Sequence, residues 1–365
     1  MLTLFTFSFI KISVLGSAGF LAAFLVTPLL IRFLHRHQLW RKEVRSKALG
    51  GGEVPFFKRF HGDGEMHTPR FGGVLVWLTP LALALVFALV ARLPFWWAQS
   101  MNFLSRQQTW LPLGILFFAS AVGFLDDLIQ VVVKPSRGLW RVLWGNGEHI
   151  AGGLPLRQRL LFMAFIASVG AWWFYTKLNW TLFHVPGVGT FDIGWWLVPL
   201  FIFVMLATYS GGVIDGLDGL AGGTFASIFA AYGLIAFSRG QVNLAGFCFV
   251  VVGALLAFLW FNIPPAKFYM GETGMMGLTA TLTTVAFLTD SVLVLPVIGF
   301  LLVLESGSVI LQVVSKRFFG RKVFLAAPIH HHFEAKGWPH YQVTMRFWII
   351  GIVSAIIGVA LRLLG

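Results

Sequence analysis

The sequence predicts an all-α polytopic integral membrane protein of about ten transmembrane helices, with both termini on the extracytoplasmic side. Three observations carry that expectation. Of 365 residues, 58% are hydrophobic and 11% charged, whereas soluble domains carry roughly 25% charged residues; mean hydropathy is +0.82. The apolar residues arrive in blocks of about twenty, the length that crosses the hydrocarbon core as a helix. Lysine and arginine are shared unequally between alternate loops, as orientation in a membrane requires.

The first apolar block, 8–34, is long enough to span and stay, without the small-residue processing site of a cleaved signal. Further spans follow at 71–91, 110–128, 159–176, 194–210, 221–237, 243–261, 274–289, 291–314 and 346–364, the eighth and ninth separated by little more than Asp290. Trp96–Trp97, Trp172–Trp173 and Trp195–Trp196 fall near span ends, where interfacial aromatics gather. The loops 35–70, 129–158, 211–220, 262–273 and 315–345 form one set. Residues 32–70 hold nine Lys or Arg, 129–159 five, 262–273 one and 315–346 six, together 21 of 27. Lys11, Arg92, Arg106, Lys177, Arg239 and Arg362 are the remainder. The split places the first set in the cytoplasm, and the net charge of +13 reads as this loop bias, with no nucleic-acid partner implied. Cys248 is the single cysteine, so no intramolecular disulfide forms. With no internal repeat and no separate soluble region visible, residues 1–365 read as one transmembrane domain.

Only 14 carboxylates are present, and all but Asp192 and Asp290 lie on or near the cytoplasmic side of this topology. Acids at the edge of hydrocarbon are costly and mark function. Asp126 and Asp127 end the third span as adjacent like charges, which repel unless a cation neutralises them; Mg2+ would do so and leave positions for phosphate oxygens. Ile214-Asp215-Gly216-Leu217-Asp218-Gly219-Leu220 sets two acids three apart among glycines. An EF-hand reading fails because the other loop ligands are missing. Asn262-Ile263-Pro264-Pro265-Ala266-Lys267-Phe268-Tyr269-Met270-Gly271-Glu272 joins a proline break to an acid at a span start, either a helix-start charge or a metal ligand. His330-His331-His332-Phe333-Glu334 lies on a basic loop without zinc spacing. One or two of its imidazoles suit hydrogen bonding to phosphate or orienting a carboxylate. Glu305 and Gln312, seven apart, share a helical face, as a polar pair that lines a site or as packing glue.

These segments, in this order and on one side of ten spans, resemble the polyprenyl-phosphate hexosamine-1-phosphate transferase superfamily. The histidine motif narrows the likeness to the phospho-N-acetylmuramoyl-pentapeptide transferases. The resemblance covers nearly the whole chain. It implies a bacterial plasma-membrane enzyme with an active site at the cytoplasmic face. That enzyme would transfer phospho-N-acetylmuramoyl-pentapeptide from UDP-N-acetylmuramoyl-pentapeptide to undecaprenyl phosphate, giving lipid I and UMP. It further implies a Mg2+ cofactor held by Glu272 with Asp126 and Asp127, and Asp126, Asp127, Glu272 and His330 as catalytic residues. Asp215, Asp218, Asn262, Tyr269, Gln312 and His331 would surround the nucleotide.

The chain departs from the family pattern at several points. Glu272 stands where Asp is usual, Gly212 where Asn is usual and Gln130 where a lysine often follows the acidic pair. Thr68-Pro69-Arg70-Phe71-Gly72-Gly73 replaces a T-P-T-M-G-G motif, Glu65-Met66 replaces upstream lysines, and 135–152, with Trp140 and Trp144, reads as an insertion. Arg70 and Arg157 are candidates to restore the missing positive charge. Two alternatives stay open: a related transferase using another UDP-sugar, and, remotely, a transporter, which would place acids near the bilayer midplane in two similar halves. The sequence is compatible with a homodimer and does not decide it.

Overall fold

The structure is a computed structural model that describes residues 2–41, 67–132 and 153–365. Glu65-Met66 and the 135–152 stretch lie outside the described residues. Ten helices of 14 residues or more occur among the described residues. They are α1 (Leu2–Arg36), α2 (Val74–Val90), α3 (Trp110–Val132), α4 (Leu156–Lys177), α5 (Leu197–Ser210), α6 (Leu220–Ser238), α7 (Val242–Asn262), α8 (Gly271–Leu288), α9 (Phe300–Phe319) and α10 (His340–Leu364). Eight of these, α1–α7 and α10, are long and apolar enough to cross a membrane. The protein is therefore helical and polytopic. Its outer surface is correspondingly apolar, with Leu25, Leu29 and Phe33 of α1 and Ile349, Ile352 and Ile356 of α10 exposed.

The eighth and ninth expected spans differ in kind from the others. Helix α8 is buried along nearly its whole length and holds five threonines. Several of these hydroxyls bond back one turn, as Thr279 does to Met275 O at 2.7 Å and Thr284 to Ala280 O at 3.0 Å, so polar groups enter the interior with partners already supplied. Helix α9 sets Glu305, Ser308, Gln312 and Ser315 on one buried face. It starts at Phe300 rather than 291, because Asp290 turns the chain with a left-handed φ of 51° and the short helix Leu295–Ile298, opened by Pro296, intervenes.

Small residues let the helices approach. A methyl group on Gly19 of α1 would strike the backbone of Val250 in α7, and one on Gly253 of α7 would strike the backbone of α1. The same device joins α3 to α8, where Gly123 lies against the main chain of Glu272 and Thr273. Close backbone contact through small residues is the usual basis of helix association in lipid, where no hydrophobic force drives it.

Between α4 and α5 lies an antiparallel hairpin that hydropathy does not reveal. Strands β1 (Leu182–Val185) and β2 (Gly189–Asp192) pair Leu182 with Asp192 and Val185 with Gly189. Asp290, at the opposite end of α8 from Glu272, anchors it by accepting from the His184 N–H at 3.0 Å. Lys11, counted by sequence among the outer charges, is buried. Its ammonium donates to Asn102 O at 2.9 Å and to Asn243 Oδ1 at 2.8 Å.

Candidate active site

The site forms where the C-terminal ends of α3, α5, α7 and α9 meet the N-terminal ends of α4, α6, α8 and α10. Its floor is a backbone pairing between two distant segments. The Tyr269 N–H donates to Pro69 O at 2.7 Å, Gly72 N–H to Tyr269 O at 2.9 Å and Gly73 N–H to Met270 O at 2.9 Å. The Thr68–Gly73 motif is thus docked on the Tyr269-Met270-Gly271 motif. Gly271 opens α8 with φ +71°, and a methyl there would press on Arg70 O and the Asp127 carboxylate. Glycine meets both demands at that turn.

Asp126 and Asp127 are both fully buried, yet they face different partners. Asp127 Oδ2 accepts from the Thr273 N–H at 2.8 Å, capping the start of α8 from another helix, while its Oδ1 faces Arg70 Nε at 3.5 Å. A carboxylate at a helix N-terminus satisfies an orphan donor and complements the helix dipole. Asp126 accepts from the Leu154 N–H at 2.5 Å, from Gln130 Nε2 at 2.6 Å and from Arg159 Nη2 at 3.0 Å. The repulsion between the neighbouring acids is thus relieved by two separate arginines and a helix end.

Arg159, in the first turn of α4, is the group that sequence reasoning missed. Its Nη1 lies 2.5 Å from Glu272 Oε1 and its Nε donates to Leu154 O at 2.9 Å. It also bonds to the Tyr209 hydroxyl at the end of α5. Arg157, the sequence candidate for restoring charge, is exposed; the charge is delivered two residues later. Arg70, the other candidate, does reach the acids. Gln130, in place of the usual lysine, passes on charge indirectly, since its Oε1 accepts from buried Arg41 at 3.0 Å.

The Asp215–Gly219 turn packs beside this network. Asp215 Oδ2 accepts from the Gly271 N–H at 3.2 Å. Burial pushes its carboxyl up to about 6, Arg70 pulling it down and Glu272 adding to the rise. Asp218 Oδ2 accepts from the Ala266 N–H at 3.1 Å. Buried Asn262 uses both ends of its amide, accepting from Gly219 N–H at 2.9 Å and donating to Phe268 O at 2.8 Å. Those two side chains tie the Asp215 turn to the Tyr269 loop. At Gly212 a side chain would meet only the Met275 methyl, at 3.8 Å, so the position has room.

The three histidines have three different partners. His330 Nδ1 lies 2.9 Å from Glu305 Oε2, both side chains being wholly buried. Its Nε2 faces Gly216, beside Asp215, and has no hydrogen-bond partner. His331 Nδ1 pairs with Glu334 Oε2 at 2.6 Å, and His332 Nδ1 accepts from the Leu325 N–H at 3.1 Å. Gln312 accepts from the Val323 and Phe324 N–H groups, each at 3.0 Å, and donates to Phe324 O at 2.9 Å, bracing the loop that leads to the histidines. Glu305 therefore orients His330. Glu305→Ala, which leaves the imidazole without that acceptor, is expected to cost about 1–3 kcal/mol of stability, measured by thermal unfolding in detergent, with Glu305→Gln retaining most of it.

Among the described residues, no three acids or imidazoles stand arranged as a metal cage. Two carboxylate oxygens, however, Asp126 Oδ2 and Glu272 Oε1, converge on one cation, the Arg159 guanidinium. Oxygen donors suit a hard dication, and Mg2+ is commonly held by one or two carboxylates plus substrate phosphates. The residues present fit such an ion, and Asp127 stands behind them on the helix end.

Residues 109–290 match the model of glycosyl transferase family 4, a stretch that holds Asp126, Asp127, Arg159, Asp215 and Glu272. A phospho-N-acetylmuramoyl-pentapeptide-transferase of Levilactobacillus brevis is 36% identical over 359 residues, covering 96% of this chain and 97% of its own. One of Geobacillus thermodenitrificans is 33% identical, covering 94% and 95%, and one of Chloroflexus aurantiacus 33%, covering 96% and 89%. Similarity at this level along almost all of both chains means that the chain belongs to the phospho-N-acetylmuramoyl-pentapeptide-transferase family.

Proposed function

We propose that this protein transfers phospho-N-acetylmuramoyl-pentapeptide from its UDP-linked form to undecaprenyl phosphate, yielding lipid I and UMP in the bacterial plasma membrane. The observation that carries the reading is a charge imbalance at the helix ends. Among the described residues, the acids Asp126, Asp127, Asp215 and Glu272 share one network in which Arg70 and Arg159 face them directly and Arg41 reaches Asp126 through Gln130. The acids outnumber the cations that reach them, an excess that a dication accompanying a diphosphate substrate would offset. The loop charges put this end of the molecule in the cytoplasm, where a nucleotide donor is found, and both termini outside.

Phosphoryl transfer asks a protein for positioning and charge neutralisation more than for covalent help. An oxygen of the lipid phosphate forms a bond to the sugar-linked phosphorus, and the bond from that phosphorus to UMP breaks. Bound Mg2+ would screen the diphosphate and the charge that develops on UMP. Glu272 and Asp126 would hold that ion. The lipid phosphate is already largely ionised near neutral pH, so Asp126 is better suited to placing the ion than to taking a proton. Arg70 and Arg159 lie where they can meet phosphate oxygens, a match that guanidinium geometry favours. His330, oriented by Glu305, presents Nε2 beside the Asp215 turn, and Asp215, Asp218, Asn262, Tyr269, Gln312 and His331 shape the nucleotide side.

Membranes carrying the protein, supplied with undecaprenyl phosphate and Mg2+, are expected to form lipid-linked product and UMP from UDP-N-acetylmuramoyl-pentapeptide and not from UDP-N-acetylglucosamine. The opposite preference would assign the chain to a related transferase. A transporter reading gains nothing from the structure, since the acids gather at helix ends on one face.

A further inference from the structure

We propose that Arg159 is a built-in occupant of the metal position, holding Asp126 and Glu272 until a nucleoside diphosphate draws it away and lets the divalent ion in. The inference rests on the metal reading above and extends it to the order in which the site loads. Its basis is geometric. One guanidinium spans the two carboxylates, with Nη2 at 3.0 Å from Asp126 and Nη1 at 2.5 Å from Glu272. Each oxygen it touches is one that a dication would need.

The arginine is built into this place. Its Nε is held by Leu154 O at 2.9 Å, and Leu154 in turn donates its N–H to Asp126 at 2.5 Å. A methyl on Gly153 would meet Asp126, Gln130 and Arg159 together, so the turn entering α4 presses on all three. The Arg159 side chain is 15% exposed, which leaves one edge of the site reachable from outside.

Arg159 and a dication repel each other and compete for the same two oxygens. In the absence of donor, the guanidinium keeps the acids paired and raises the metal concentration needed to fill the site. A diphosphate changes the balance. It offers the guanidinium planar, doubly hydrogen-bonded oxygen partners of the kind arginine prefers, and it brings further ligands for the metal. Arg159 then moves from carboxylate to phosphate as the ion takes its place, so metal and diphosphate bind with positive coupling, which by linkage is reciprocal.

The test is Mn2+ binding to the purified full-length protein in detergent, followed by the electron paramagnetic resonance signal of the free ion. Without nucleotide, Arg159→Gln is expected to bind Mn2+ about tenfold or more tightly than wild type, since a neighbouring like charge shifts an ionic equilibrium by roughly one to three decades. UDP, after correction for Mn2+ bound by UDP alone, is expected to tighten Mn2+ binding more in wild type than in Arg159→Gln. Arg159→Lys, which keeps the charge but loses the planar fork that spans the two carboxylates, should shift affinity in the same direction by less. It decides the matter if Arg159→Gln does not fold. Unchanged or weaker Mn2+ binding in these variants would overturn the inference. Glu272→Gln separates the two levels: if it abolishes Mn2+ binding while the arginine variants gain nothing, only the role of Arg159 falls. If Glu272→Gln has no effect either, the metal reading falls and takes this inference with it.

Discussion

Glu272→Gln is expected to lower transfer by about a thousandfold, because Lewis-acid stabilisation supplies several kcal/mol and each 1.36 kcal/mol is a factor of ten. The measurement is UMP release in a membrane assay with saturating Mg2+. The substitution keeps the size of the side chain and can still accept from Arg159, so the fold should survive, with thermal unfolding shifted only slightly. Asp126→Asn is expected to lose activity to a similar degree but with a clear loss of stability as well. Asp126 accepts three hydrogen bonds in a buried place, and an amide nitrogen cannot replace either acceptor oxygen. If Glu272→Gln retained full activity, Glu272 would be reduced to a helix-start charge at α8, the alternative that the sequence leaves open.

The part of this site that could be read in the sequence is the part made of scarce residues. Acids are few, and Asp126, Asp127, Asp215, Asp218 and Glu272 stand out simply because they sit beside apolar blocks. Arg159 does not, because it is one of 27 basic residues in the chain and stands at the edge of a loop whose charge already has a reason, the orientation of the chain. What singles it out is a partner 113 residues away. The capping of α8 by Asp127 is hidden for the same cause, since Thr273 is 146 residues distant and no local pattern links them. Two arginines and a helix end therefore relieve a repulsion from which the sequence alone suggests a metal.

The spans show a similar division. Blocks of uniform hydropathy announce α1–α7 and α10, since lipid selects them by composition. Helices α8 and α9 touch mainly protein on their polar faces, and their threonines, Glu305 and Gln312 dilute the apolar signal while marking the helices nearest the chemistry. The hairpin Leu182–Asp192 is too short for periodicity to reveal. Asn262, Asp218 and Gln312, placed by resemblance around the nucleotide, have hydrogen bonds that brace loops. A residue can be recognisable by motif because it shapes the site rather than because it touches the substrate.

Shape also makes the second large effect predictable. Gly123 lies one helical turn before Asp127, and a methyl group on it would collide with the carbonyl of Glu272 and with Thr273 Cα. Neither is a side chain that could rotate aside, so Gly123→Ala must drive α3 and α8 apart. The expected cost is about 1–3 kcal/mol of stability for overpacking. Because Asp126 and Asp127 ride on α3 and Glu272 on α8, a separation near 1 Å is expected to lower turnover by about a hundredfold. Gly114→Ala on the same helix is the control. Nothing lies within 4 Å of the added methyl there, and alanine in a helix interior is favoured over glycine by roughly 0.5–1 kcal/mol, so that variant should be as active as wild type and at least as stable. Equal behaviour of the two variants in UMP release would show that the distance between α3 and α8 does not set the reactive geometry; a loss confined to Gly123→Ala would show that activity depends on a spacing of Asp126, Asp127 and Glu272 that a single hydrogen atom, in place of a methyl, maintains.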